Sequence, residues 1–239
     1  DLPTAAAPGL VIGAVPKRAD ARDALCAREG WTLETLPEGA KVGTGSPRRV
    51  AQLKSVRPDL DVIDIRGNVD TRLGRVAEGD LDAVVLAAAG LGRLGRLEAV
   101  TDYFALSQVP TAPGQGALAL EVRVGEQAGR GDVARALKAV DHATTHACAT
   151  AERAVLAGLE AGCAAPIGAS ALVDDGLLFL TATVYRPDGT ERLTASHAAT
   201  PDSLGAADLD EAARDVGARV VAELLAAGAA DLAPLGGTR

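Results

Sequence analysis

KVGTGSPRRVAQLKSVRPDLDVIDIRGN, residues 41–68, contains two strand–loop–helix junctions in succession. Residues 41–43 form a short strand-like run, followed by a loop of Thr44, Gly45 and Ser46. The Ser46 hydroxyl can accept a free N–H of a first helical turn, and Pro47 suits the first helical position because its missing N–H is not needed there. The helix is expected to run to about Val56 and stop near Pro58. Residues 61–65 alternate Val and Ile as a strand does, and Asn68 can cap a second helix ending near Gly79. Working outward, residues 10–15 read as a strand and residues 20–28 as a short helix. Residues 83–88 read as a buried strand closed by Gly90. Alternating strands and helices are the signature of a parallel α/β sheet.

Towards the C-terminus, residues 117–122 read as one more strand and 131–140 as a helix. The pattern changes near Asp141. A long helix, about residues 145–159, leads into a loop rich in Gly, Cys and Pro. Three strands follow at residues 170–173, 177–185 and 190–198, separated by the turn signals Asp175–Gly176 and Pro187–Asp188–Gly189. Residues 209–227 form a closing amphipathic helix. The expected fold class is α/β with a C-terminal α+β unit built on a three-stranded antiparallel sheet.

Composition narrows the function. The chain has 239 residues, 48% hydrophobic and 23% charged, which is ordinary globular usage. Its net charge of -8 and 2% aromatic content make it a poor general nucleic-acid binder, so no nucleic-acid partner is expected. No apolar run approaches the roughly 20 residues that cross a bilayer, and no secretory signal is visible, so no membrane partner is expected. The three cysteines, Cys26, Cys148 and Cys163, are odd in number and lack a CxxC spacing. That argues against a disulfide framework and for a reducing, cytoplasmic setting. The chain opens at Asp1 and has no methionine, so a processed form or a fragment is expected.

Positive charge is concentrated between Arg48 and Arg96. Arg48 and Arg49 fall in the first turn of a helix, where the macrodipole disfavours cations and free N–H groups seek an acceptor. A bound anion, held by backbone N–H groups, hydroxyls and guanidinium forks, resolves both problems. Two surface arginines beside an ordinary cap are the plainer reading. Arg66 follows a strand and Arg72 lies in the next helix's first turn. Ligands of open α/β sheets gather at the carboxyl ends of the strands, so Arg48, Arg49, Arg66 and Arg72 are expected to converge on one edge. The spacing does not fit a P-loop.

Cys163 follows a helix end, with Gly162 before it and Pro166 after it. Such a thiol can be exposed and reactive, or buried and inert. Cys26 and Cys148 lie within expected helices and read as packing residues. His142 and His146 share a helix face, but no second ligand pair is evident and no metal site is expected. His197 lies on a strand and carries no signal.

Five ordered segments together resemble the hydroxymethylbilane synthase (porphobilinogen deaminase) family over essentially the whole chain. They are Gly43–Thr44 with Ser46 and Arg48–Arg49; Ile65–Arg66–Gly67–Asn68–Val69 with Thr71–Arg72; and Ala89–Gly90–Leu91 with Arg93–Leu94. The fourth is Pro113–Gly114–Gln115–Gly116–Ala117. The most specific is Glu152–Arg153 followed by Gly162–Cys163 and Pro166–Ile167–Gly168, which is similar to the family's cofactor-attachment signature. The chain departs from the family pattern at Gly45, where Ser is frequent, and at Thr144 and Cys148, where Glu and Arg are common.

The resemblance implies a dipyrromethane cofactor joined by a thioether to Cys163, with Ser46, Arg48, Arg49 and Arg72 also binding it. It implies that Thr44, Arg66, Arg72, Arg93 and Gln115 bind the substrate, porphobilinogen, and that Asp1 is the catalytic carboxylate. The implied reaction links four porphobilinogens head-to-tail on the primer and releases hydroxymethylbilane by hydrolysis, in a monomeric cytoplasmic transferase. The implied fold has two lobes like those of periplasmic binding proteins plus a third, cofactor-bearing unit. Residues 1–19 and 111–140 then belong to the first unit, 20–110 to the second and 141–239 to the third. Asp1–Leu2–Pro3 matches the segment that begins at the catalytic aspartate, so the family's preceding Lys and its N-terminal substrate-binding Arg and Ser are expected to lie outside this chain. On that basis the isolated chain is expected to be inactive, with Ile12, Leu118 and Leu120 unusually exposed. Two rival readings are a non-catalytic carboxylate-binding module and a regulatory metal domain built on His142 and His146. A covalently modified Cys163 separates the enzyme from both.

Overall fold

The computed structural model describes residues 2–5, 7–161, 165–233 and 235. Its centre is a five-stranded sheet of β2 (Asp23–Ala27), β3 (Lys41–Gly43), β4 (Asp61–Ile63), β5 (Ala83–Ala87) and β6 (Asp102–Tyr103), in the order β4-β3-β5-β2-β6. Strand β3 runs parallel to β4 and β5, whereas β2 is antiparallel to both β5 and β6. The sheet is therefore mixed, not parallel throughout.

The reversed strand is also the main correction to the sequence reading. Residues 20–28 were expected to be helical, and Asp23–Ala27 is instead a strand buried from Asp23 to Cys26. Its side chains alternate: Leu25 joins Val42, Leu53 and Val85 in one core cluster, while Ala24 and Cys26 join Ile65, Val84 and Leu86 in another. A residue run of high helix propensity takes the strand form because both of its faces are buried between neighbours.

Helices cover both faces. Helix α1 (Pro47–Val56) sends Leu53 into the first cluster. Helix α2 (Val69–Ala77) packs Val69, Leu73 and Val76 against the second, and α3 (Ala88–Arg93) adds Leu91. The expected caps are present, Ser46 accepting from Arg49 N and Asn68 from Thr71 N. Gly90 does not close the strand; it lies inside α3, which begins directly after β5.

A two-stranded antiparallel sheet pairs β1 (Leu10–Ala14) with β7 (Leu120–Arg123), the latter shorter and later than expected. Leu118 and Leu120 are exposed and Ile12 is half-buried. Helix α4 (Asp132–Val140) follows, its Leu137 side chain so close to Gly13 that a Cβ there would lie 2.9 Å from it.

The C-terminal part combines α5 (Ala143–Gly158), the antiparallel strands β8 (Ile167–Asp174), β9 (Leu177–Tyr185) and β10 (Arg192–Ala199), and the helices α6 (Ala206–Ala226) and α7 (Ala229–Leu232). One cluster, including Ala151, Val155, Leu178, Leu180, Val216 and Val220, joins the two long helices to the sheet. The Asp175–Gly176 turn has positive φ at both residues, 44° and 76°, as a tight two-residue hairpin with right-handed strand twist requires. No helix among the described residues is long and apolar enough to cross a membrane.

Candidate active site

Asp23 is the first residue of β2 and is wholly buried. The chain leaves β3 through Thr44–Gly45–Ser46 into α1, whose first turn aims two guanidiniums back at that carboxylate. Arg48 Nη1 lies 2.7 Å from Asp23 Oδ2, and Arg49 Nη2 2.7 Å from Asp23 Oδ1. Both arginines are buried, at 4% and 9% exposure, so this is an interior cluster and not a pair of surface cations. Arg48 Nη1 also donates to Gln52 Oε1 and to Pro110 O, and Arg49 Nη1 donates to Val85 O. Gln115 completes the group. Its Nε2 donates to Asp23 Oδ1 and Ala21 O, and its Oε1 faces both guanidiniums at 3.4–3.5 Å.

The charges do not cancel. Burial works to raise the Asp23 carboxyl, but Arg48 and Arg49 outweigh it and hold the group well below the usual carboxylate range. Burial pulls Arg49 downward against the attraction of Asp23, and the like charges of Arg48 and Arg72 pull the same way. A guanidinium still keeps its proton at any working pH. Two cations therefore face one anion, and the buried Arg48 Nε has no hydrogen-bond partner among the described residues. Thr111, buried beside Pro110 in sequence, likewise has a hydroxyl with no partner among the described residues.

The other expected site residues are placed unevenly. Thr44 is buried, and its hydroxyl accepts from Ser46 N. Arg72 is half-buried, donates to Gly67 O, and is near enough for Arg49 to feel its charge. Arg93 is exposed and donates to Gly116 O, so it meets the loop that carries Gln115. Arg66 stands apart from the buried cluster, its side chain 79% exposed beside Asp64. It lies near Gly45, where a Cβ would fall 2.5 Å from Ile65 O, so this chain's glycine matches a close backbone approach. Asp1 and Cys163 lie outside the described residues.

A second buried cluster lies beside the first. Glu152 on α5 is wholly buried and meets Arg18 bidentately at 2.6 and 2.9 Å. Its two oxygens also accept from Gly114 N and Ala171 N. Arg18 Nε donates to Gln115 O. The loop of residues 114–116 is thus fixed to α5 on one side and to the Asp23 cluster on the other. Arg153, the next residue on α5, donates to Leu2 O and Pro3 O at 3.0 and 2.6 Å, immediately after Asp1 in the sequence.

Sequence reasoning missed Asp23 and Arg18. The available signal was a carboxylate at the head of the apolar run Ala24–Leu25–Cys26–Ala27, where an unpaired charge would be costly. The remaining candidates have structural roles. His142 caps α5, His146 faces Asp141 Oδ1 at 2.9 Å, and His197 faces Glu223 at 2.7 Å. No group of three metal-ligating side chains occurs among the described residues. Cys26 and Cys148 are buried, which pushes both thiols up to about 11. For Cys148 the Glu152 charge adds to the burial.

Residues 1–132 match the family model "Porphobilinogen deaminase, dipyromethane cofactor binding domain", and residues 146–226 match "Porphobilinogen deaminase, C-terminal domain". A curated porphobilinogen deaminase of Leifsonia xyli subsp. xyli is 80% identical over the whole of this chain, which spans 73% of that relative. The chain belongs to the porphobilinogen deaminase family. The porphobilinogen deaminase of Thermobifida fusca is 56% identical over 87% of this chain and 65% of its own length. That of Corynebacterium efficiens is 48% identical over 97% of this chain and 74% of its own length. As a porphobilinogen deaminase, the chain is a transferase of the hydroxymethylbilane synthase type, with a dipyrromethane cofactor and a place in tetrapyrrole biosynthesis.

Proposed function

We propose that the Asp23 cluster is the carboxylate-binding centre of this porphobilinogen deaminase, with Arg48 and Arg49 holding side-chain carboxylates of the dipyrromethane. The observation that carries this reading is the imbalance of two buried guanidiniums against one buried carboxylate, with a buried donor left over at Arg48 Nε. Acetate and propionate groups fit that surplus, since planar carboxylates accept guanidinium forks. Ser46 and Arg72 support the same group from the loop and from α2. Thr44, Arg66, Arg72 and Arg93 serve the incoming porphobilinogen. Gln115 contributes to substrate binding through the guanidiniums it orients, because its amide already donates to Ala21 O and Asp23.

Cys163 carries the cofactor through a thioether, and Asp1 is the catalytic carboxylate. When bound, the dipyrromethane would supply the free pyrrole carbon to which the first activated substrate joins. The protein's own groups do the rest. A carboxylate beside the substrate pyrrole N–H stabilises the positive charge that develops as ammonia leaves. It also takes up and returns the protons that this loss and the later ring deprotonation require. The buried arginines neutralise carboxylates without water, so each added ring is held by fixed donors. The product is hydroxymethylbilane, built from four porphobilinogens and released by hydrolysis. The three units proposed for this work are residues 1–19 with 111–140, residues 20–110, and residues 141–239. We propose a monomer acting in the cytoplasm, with porphobilinogen as its partner and neither nucleic acid nor membrane involved.

Intact mass of protein made in cells supplying porphobilinogen tests the reading. The expected result is one dipyrromethane adduct, lost in Cys163→Ser and kept in Cys26→Ala. An active Cys163→Ser protein without the adduct would overturn it.

A further inference from the structure

The three-stranded sheet touches the arginine helix at a point that the reaction chemistry does not require. The turn between β9 and β10 has Asp188 and Gly189 at its tip. Asp188 Oδ1 accepts from Thr190 N at 3.0 Å and from Thr190 Oγ1 at 2.7 Å, and Gly189 N donates to Arg186 O at 2.8 Å. This local bonding makes the tip stiff. Gly189 has φ +79°, and it rests on the second half of α1. A Cβ there would lie 2.6 Å from Ala51 O, 2.8 Å from Lys54 Cβ and 2.8 Å from Ser55 N. Two of those three atoms are helix backbone, which cannot swing aside as a side-chain end can.

The same sheet makes a second contact at the head of β8. A Cβ on Gly168 would lie 2.6 Å from Pro110 O, and Ala169 N donates to Thr111 O at 2.8 Å. Pro110 O is itself an acceptor for Arg48 Nη1 and Gln52 Nε2. The sheet therefore bears on Arg48 from two sides, through the helix that carries it and through the carbonyl that it binds. The other hairpin of the sheet supplies an internal contrast. Gly176 has nearly the same φ, +76°, but nothing among the described residues lies within 4 Å of its Cβ position.

We infer that the tip at Asp188 and Gly189 is a positioning element for the arginine cluster, and that Gly189 sets the separation between the C-terminal sheet and α1. The consequence for function rests on Arg48 and Arg49 binding carboxylates, as proposed above. The contact ties the part of the chain that bears the cofactor cysteine to the guanidiniums that hold the cofactor's carboxylates. Displacing α1 by a fraction of its present clearance would misalign both.

Gly189→Ala and Gly176→Ala impose the same backbone strain, so any difference between them reports the contact. Each variant would be compared by melting temperature, by amide hydrogen exchange along α1, and by KM and kcat for porphobilinogen in the complete enzyme. The expected result is faster exchange across α1 and a KM raised about tenfold in Gly189→Ala, with kcat changed less. Gly176→Ala should match the parent in exchange and KM. Asp188→Ala adds no atoms towards α1 but loosens the tip. It should shift exchange and KM in the same direction by less, and it decides the matter if Gly189→Ala fails to fold. Equal exchange and KM in the two glycine variants would overturn the inference, as would an unchanged Asp188→Ala where that variant must decide. Arg49→Lys separates the two ideas. Unchanged dipyrromethane retention there, read by intact mass, would defeat the carboxylate reading, while α1 exchange would still judge the contact.

Discussion

Two buried ionic clusters lie side by side in this molecule, and they are built on opposite principles. Glu152 is matched one-to-one by Arg18, and two backbone N–H groups complete its oxygens. Asp23 is outnumbered by Arg48 and Arg49, and a donor of Arg48 has no partner among the described residues. A saturated cluster has no capacity for a ligand. Its value is to tie three segments that are remote in sequence: residue 18, the loop at Gly114, and β8 at Ala171. An unsaturated cluster holds positive charge and donor capacity in a low-dielectric place, which is what anion binding uses. Burial alone does not distinguish a structural ion pair from a binding site; the balance of charges and donors does.

That contrast can be broken most forcefully at Glu152. Glu152→Ala leaves the half-buried Arg18 guanidinium uncompensated and two backbone donors unpaired. A loss of about 3–5 kcal/mol is expected, a fall of roughly 10 °C in melting temperature at this chain length. Added phosphate should not restore it. A fall of only a degree or two in thermal melts would show that Glu152 does not pin these segments together.

Asp23→Asn should cost somewhat less, about 3 kcal/mol, because the amide keeps the shape and one acceptor. Unlike the Glu152 variant, it increases the surplus of positive charge. Its melting temperature should therefore rise further with phosphate than that of the parent, and equal phosphate response would remove the distinction between the clusters. The pH dependence has a definite sign. The folded-state Asp23 carboxyl is held below its unfolded value, so its contribution is complete above about pH 4 and is lost as the pH falls further. The gap in melting temperature between parent and Asp23→Asn should stay constant from pH 7 to 5 and shrink only below about pH 4. A gap that closes near pH 6 would contradict the ion pairing.

Arg49→Lys has the smallest expected effect on stability, about 1.5 kcal/mol, since an ammonium keeps the charge but loses the fork towards Asp23 and the bond to Val85 O. Its effect on cofactor retention, read by intact mass, should be larger than its effect on melting. The reverse ranking would make Arg49 a structural residue like Arg18.

Local signals determined a good part of this molecule. Ser46, Pro47 and Asn68 marked where helices start, because a cap needs only its own first turn. Asp175–Gly176 and Pro187–Asp188–Gly189 marked the hairpins for the same reason, and the five ordered motifs pointed to the family. What the sequence could not decide was what faced what. Residues 23–27 have helix propensity, and only β5 and β6 on either side made them a strand. Arg48 and Arg49 could have been surface cations, and only Asp23, 25 and 26 positions away, placed them inside. Gly189 and Gly176 read alike as turn glycines, and only the approach of α1 to one of them separates their roles. Caps and turns are settled by bonds within a few residues, whereas burial and charge balance are settled by partners that chain folding brings from far away.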